Sequence, residues 1–180
     1  KFNSSGTFLG WWGKGSVTSG WHAPGSGETG TSGAGAGEFN SPYGIAYDPA
    51  GYIYTIELGS RRLQKFTTSG TYITEWGGSG NGDGLFDMPQ GICVDPAGYV
   101  FVADTLNDRI HKFSSGGTYI GWYGNDSTSI AKWHAPGSGY TGNFPGSSDG
   151  QLNTPARIVC DAAGKVYVAD QGNHRIQIFR

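Results

Sequence analysis

Two identical segments, WHAPGSG, begin at Trp21 and Trp133, 112 residues apart. Each sets an imidazole beside an indole at a bend shaped by Pro and Gly. Histidine titrates nearest neutrality and is the commonest zinc ligand, so His22 and His134 are the first candidates for acid–base or metal chemistry. Each stands alone, with no second histidine, cysteine or carboxylate at ligand spacing, so neither segment makes a metal site by itself. Trp21, Trp133 and Tyr140 offer flat apolar faces of the kind that stack on sugars or peptides. The plainer reading of these residues is that they pack a long loop onto its own body.

A second constellation pairs Asp104 with Arg109 and Asp170 with Arg175, and Glu57 with Arg62 has the same spacing. An active site needs one asymmetric set of groups, whereas this arrangement recurs. Recurrence points to architecture: a turn-capping carboxylate and an ion pair between neighbouring units. Asn81-Gly82-Asp83-Gly84 has the look of a calcium loop but lacks the later acidic ligands and the closing bidentate Glu. Cys93 and Cys160 form no CxxC site, and they lie one strand position out of phase on different units. That phase predicts opposite orientations and two buried free thiols acting as small apolar residues. No Ser-His-Asp order, phosphate loop or paired carboxylate stands outside the repeat. The expectation is a protein with no catalytic set, no metal and no cofactor.

The elements that position these residues are short strands. The 180 residues include 33 Gly and 8 Pro, and 25 aromatic side chains (6 Trp, 10 Tyr, 9 Phe), with a net charge of -2. That many aromatics at so little charge excludes a disordered chain, and the glycines follow no collagen period. Twelve basic against 14 acidic residues give no electrostatic case for nucleic acid or an anionic membrane surface. No apolar run approaches the ~20 residues of a membrane-spanning helix. The sequence opens on Lys1 rather than Met, as expected of a mature or trimmed piece.

Three segments align without gaps: SPYGIAYDPAGYIYTIELGSRRLQKF (41–66), MPQGICVDPAGYVFVADTLNDRIHKF (88–113) and TPARIVCDAAGKVYVADQGNHRIQIF (154–179). Phe66, Phe113 and Phe179 are 47 and 66 residues apart, and Asp48, Asp95 and Asp161 repeat both spacings. In each, an apolar run such as GICVD reads as a strand buried on both faces. A DPAG or DAAG turn follows, then YVFVAD and RIHKF as second and third strands. TYITEWG (71–77) and TYIGWYG (118–124) supply a fourth. Four antiparallel strands per unit of roughly 47 residues is the pattern of a propeller blade.

VYVADQGNHRIQIF (166–179) and VFVADTLNDRIHKF (100–113) resemble the NHL repeat. The third copy departs from it at Ala156-Arg157, and the first at Ile56-Glu57 and Gly59-Ser60. The resemblance implies a β-propeller, which in that family usually has six blades. The predicted fold is therefore all-β, with three four-stranded antiparallel blades per chain. Blade 1 covers about 41–77, blade 2 about 88–124, and blade 3 about 154–180. KFNSSGTFLGWWG (1–13) aligns with the outer part of the other units, so residues 1–13 of the same or a partner chain would complete blade 3. Self-association into a six-bladed ring of two chains is the expectation. The rivals are an open filament and a fragment of a longer protein.

The connections 14–40 and 125–153, which carry the WHAPGSG segments, are expected on one face with Asp104, Asn107, Asp170 and Asn173. There they would line a ligand site over the central channel. The predicted function is a non-catalytic scaffold binding a protein, peptide or glycan through that face. The alternative is a propeller lyase or lactonase-like enzyme with a metal or histidine at the channel mouth, and RNA binding is disfavoured by the charge balance. The sequons at Asn3 and Asn125, with few lysines, favour an extracellular or cell-surface setting.

Overall fold

The computed structural model describes residues 1–15, 19–27, 29–125, 131–138 and 144–179. Strands β1 (Trp11–Lys14) and β2 (Ser19–His22) form a hairpin that pairs with no other strand among the described residues. Blade 1 follows as β3 (Pro42–Tyr47), β4 (Tyr52–Glu57), β5 (Arg62–Thr67) and β6 (Tyr72–Gly77), in that spatial order. Blade 2 holds β7 (Pro89–Val94), β8 (Val100–Asp104), β9 (Arg109–Phe113), β10 (Tyr119–Asn125) and β11 (Ala131–His134). Blade 3 has three strands: β12 (Pro155–Cys160), β13 (Val166–Asp170) and β14 (Arg175–Phe179). All pairings within these sheets are antiparallel. Among the described residues no helix is long and apolar enough to cross a membrane.

The fifth strand of blade 2 is where the structure departs from the four-stranded expectation. Residues 131–134, leading into the second Pro–Gly turn, pair with the outer strand: Trp122 faces His134 and Tyr123 faces Trp133. The first copy does the same in the hairpin, with Trp11 opposite His22 and Trp12 opposite Trp21. Gly121 and Gly10 permit the approach. Both have positive φ, and a Cβ on either would lie 2.3 Å from the carbonyl of His134 or His22. Blade 1 has no such insertion and carries Thr74 at this place.

The core consists of two seams between blades. Tyr54, Ile56 and Leu63 of blade 1 meet Phe86, Ile92, Val100, Val102 and Phe113 of blade 2. Cys93, Phe101, Ala103 and Ile110 on the other side of blade 2 meet Leu152, Ile158, Val166 and Val168. Only the middle inner strand, β7, is therefore covered on both sides. The other inner strands, β3 and β12, each alternate exposed residues with more buried ones, because blades 1 and 3 end the arc.

The cysteines are a correction to the sequence reading. Cys93 and Cys160 form a disulfide with Cα atoms 5.8 Å apart. They do alternate in phase, as expected. However, the side of blade 2 that faces forward and the side of blade 3 that faces back are the same seam. Opposite phase on neighbouring blades brings two side chains together.

Candidate functional site

The acid–arginine pair recurs in all three blades as a buried polar cluster. Asp104 and Arg109 are both fully buried, with Arg109 Nε donating to Asp104 Oδ2 at 3.0 Å. The remaining guanidinium hydrogens reach the carbonyls of Asn81, Gly82 and Leu85 at 2.8–3.0 Å. Asp104 Oδ1 accepts from the Asp87 amide, and Oδ2 also accepts from Asn107. Blade 1 repeats this with Glu57 and Arg62 on Ala34, Gly35 and Glu38. Blade 3 repeats it with Asp170 and Arg175 on Ser147, Ser148 and Gln151.

Each cluster thus clamps the irregular connection entering its own blade, whose carbonyls have no strand partners. The ion pair lies within a blade rather than between blades, which corrects that part of the expectation. The same contacts take up the carbonyls of the calcium-like loop at Asn81 and Gly82. Polar links between blades include residues with positive φ in the turns after the second strands, beside Thr105 on the Pro155 carbonyl and Lys65 on that of Ser115. Arg61 reaches Asp87 at 3.2 Å, and Asp108 accepts from the Thr154 amide at 2.7 Å. Burial raises the pKa of Asp108 above the usual carboxylate value.

His111 closes the blade 2 cluster, with Nε2 3.0 Å from Asp104. Gln64 and Gln177 hold the equivalent places, bonded to Glu57 and Asp170. Burial lowers the imidazole pKa below its ordinary 6.5. The folded state therefore resists a proton that the unfolded chain accepts, and stability falls as pH drops below about 6.5. His111→Gln is expected to flatten this dependence. The check is the shift in urea midpoint between about pH 7.5 and pH 5.5 in both proteins; an equal shift would remove His111 as its source.

The residues expected to form a binding face are placed differently from one another. His22 and His134 are buried and stack on Trp11 and Trp122 at 4.0 and 3.9 Å, nearly parallel. Their Nε2 atoms lie 3.2 and 3.3 Å from the carbonyls of Gly13 and Gly124. Trp21 and Trp133 are 41% and 42% exposed. Trp133 sits on β11, the outermost strand of blade 2, and Trp21 on β2 of the hairpin. Trp133 rests near Tyr123 and Phe101, and Lys112 Nζ lies 5.9 Å over its ring. Tyr140 lies outside the described residues. Asp104, Asn107, Asp170 and Asn173 are engaged in the clamps. At the axial end the residues brought together are Tyr43, Gln90 and Arg157. The Arg157 guanidinium lies 4.6 Å over the Tyr43 ring and donates to the Gln90 carbonyl. Among the described residues no three His, Cys, Asp or Glu side chains group to hold a metal.

Residues 86–113 and 152–179, each running from the seam-filling Phe86 or Leu152 through the clamp to the end of the third strand, match the family model of the NHL repeat. At these two segments the chain is similar to the NHL repeat. No curated protein matches it. Among solved structures, it is similar to a chain of the nidogen–laminin complex (TM-score 0.52, 20% identity, 89% of this chain and 51% of that one). A Bacteroides thetaiotaomicron protein of unknown function gives 0.56, 15% identity, 88% and 41%. A putative phosphatase of the same organism gives 0.54, 19% identity, 76% and 34%. At these identities the likeness is one of fold. The chain spans between about a third and a half of the length of these chains.

Proposed function

We propose that this NHL β-propeller chain is a non-catalytic interaction module, binding a protein, peptide or glycan through the surface that carries the two WHAPGSG insertions. One contrast carries the reading. The acids of the clamps are consumed by arginine and backbone, and both insertion histidines are stacked and buried. The two insertion tryptophans are instead held on strands with much of each ring open to solvent. A half-exposed indole, at Trp133 with Lys112 beside it, suits the apolar face of a sugar or an extended peptide. The disulfide supports an extracellular or cell-surface setting, where such bonds persist.

The test is a glycan and peptide array, followed by titration of the strongest hit. Trp21→Ala with Trp133→Ala is expected to weaken binding at least tenfold, a loss of about 1.4 kcal/mol, while the melting temperature stays near that of the parent. Undiminished binding by the double variant would place the ligand elsewhere.

A further inference from the structure

The two ends of the arc are apolar and open. On blade 1, Phe39, Ile45, Ile53, Thr55 and Phe66, with Trp12 above them, line a groove of about 300 Å³. On blade 3 the opposite side shows Val159, Ile176 and Ile178, each more than half exposed. By position in the repeat, the blade 1 end corresponds to the sides of blades 2 and 3 that face back into their seams. The blade 3 end corresponds to the forward side of blade 2.

The geometry points to a second copy of this chain as the occupant of that groove. Its blade 3 enters between the hairpin and blade 1, and β1–β2 supplies the two outer strands that its β12–β13–β14 sheet lacks. This inference does not rest on the ligand-binding reading. Three observations carry it.

The first is the completed pattern in blade 2, which has five strands, of which the outer two pair in the same register as β1–β2. The second is the seat of the hairpin. A Cβ on Gly70 would meet the Trp12 ring at 1.8 Å, just as one on Gly117 would meet the Trp76 ring at 2.9 Å. Trp12 thus already lies over blade 1 as the outer strand of a preceding blade would, and among the described residues the hairpin has no inner strands beside it. The third is a register mark. Phe2 bridges Phe8 as Phe113 pairs with Tyr119. Lys1 and Phe2 therefore hold the places that Ile178 and Phe179 of the second copy take over on closing. Following β9–β10, Trp12 then lies opposite Ile176 and Gly13 opposite Arg175 of that copy.

One position is not a copy of the existing seams. Gly44 and Gly91 stand where inner strands come closest, and a Cβ there would lie 2.8 Å from the carbonyl of Gln90 or Ala156. Blade 3 has Arg157 instead. Its guanidinium is turned away onto Tyr43 and Gln90 of its own chain, leaving the Cβ to hold the new seam slightly wider at the axis.

The test is solution mass by light scattering at two concentrations. The expected mass is twice 19.0 kDa, falling to 19.0 kDa in Ile176→Arg with an unchanged circular dichroism spectrum, since Ile176 is exposed in the single chain. Tyr47→Cys with Val159→Cys, which mirrors Cys160 and Cys93 at the new seam, is expected to give a disulfide-linked dimer that neither single variant gives. A mass of 19.0 kDa at both concentrations overturns the proposal and leaves the ends to further blades of a longer polypeptide. A ladder of higher multiples overturns it in favour of a filament. A dimer that survives Ile176→Arg and does not cross-link also overturns it, because the contact then lies elsewhere.

Discussion

Asp104→Ala is expected to cost about 3–5 kcal/mol of folding stability, among the largest losses available to a single substitution in this chain. Asp104 and Arg109 have no solvent-exposed side-chain surface. Removing the carboxylate leaves a guanidinium that water cannot reach, and it also orphans the Asp87 amide. The size follows from leaving one charge unpaired, so replacing both partners should cost less than replacing Asp104 alone: Asp104→Leu with Arg109→Met is expected to recover part of the loss. The equivalent change at Asp170 should be milder, because the Arg175 side chain is 26% exposed and keeps some hydration. Guanidinium unfolding of the four proteins checks the order. A loss below about 1 kcal/mol for Asp104→Ala would mean that the clamp is not a closed buried pair.

Removing the disulfide is the second large effect. Cys93 and Cys160 are 67 residues apart, and releasing a loop of that length from the unfolded chain corresponds to about 4 kcal/mol in the chain-entropy account. The double change Cys93→Ala with Cys160→Ala is expected to lose about 2–4 kcal/mol, the lower part of that range allowing for structure in the unfolded state. Reductant should lower the melting temperature of the parent and leave the double variant unaffected. Titration of two free thiols in the unreduced, unfolded parent would show that the bond is not made.

Strand pattern, repeat spacing and turn chemistry made the blades legible in the sequence. The apolar runs before Asp48, Asp95 and Asp161 did not reveal how much of each is covered, because burial depends on having a neighbouring blade. Only GICVD has one on both sides. The disulfide escaped because phase was read within one blade, whereas contact is decided across a seam. The fifth strand left a signal in the residues themselves. The two units with WHAPGSG carry Gly10-Trp11 and Gly121-Trp122 in their fourth strand, and the unit without it carries Thr74-Glu75. Glycine admits the extra strand, and tryptophan stacks on its histidine. Where neither is needed, Glu75 instead accepts from Arg62 at 2.8 Å. The candidate site was the least legible part, because a histidine two bonds from the backbone reads the same whether it faces a ligand or an indole.

The added outer strand also bears on solubility. A sheet margin is a template on which other chains can stack into cross-β fibrils. β11 is four residues long and is followed two residues later by Pro136, and β2 is followed likewise by Pro24. Such a margin offers few consecutive amides and ends at a residue with none to give. At β2 and β11 the rim is thereby hemmed against fibril growth, whereas β6 and β14 end their sheets with no such added strand, and the arc keeps apolar ends.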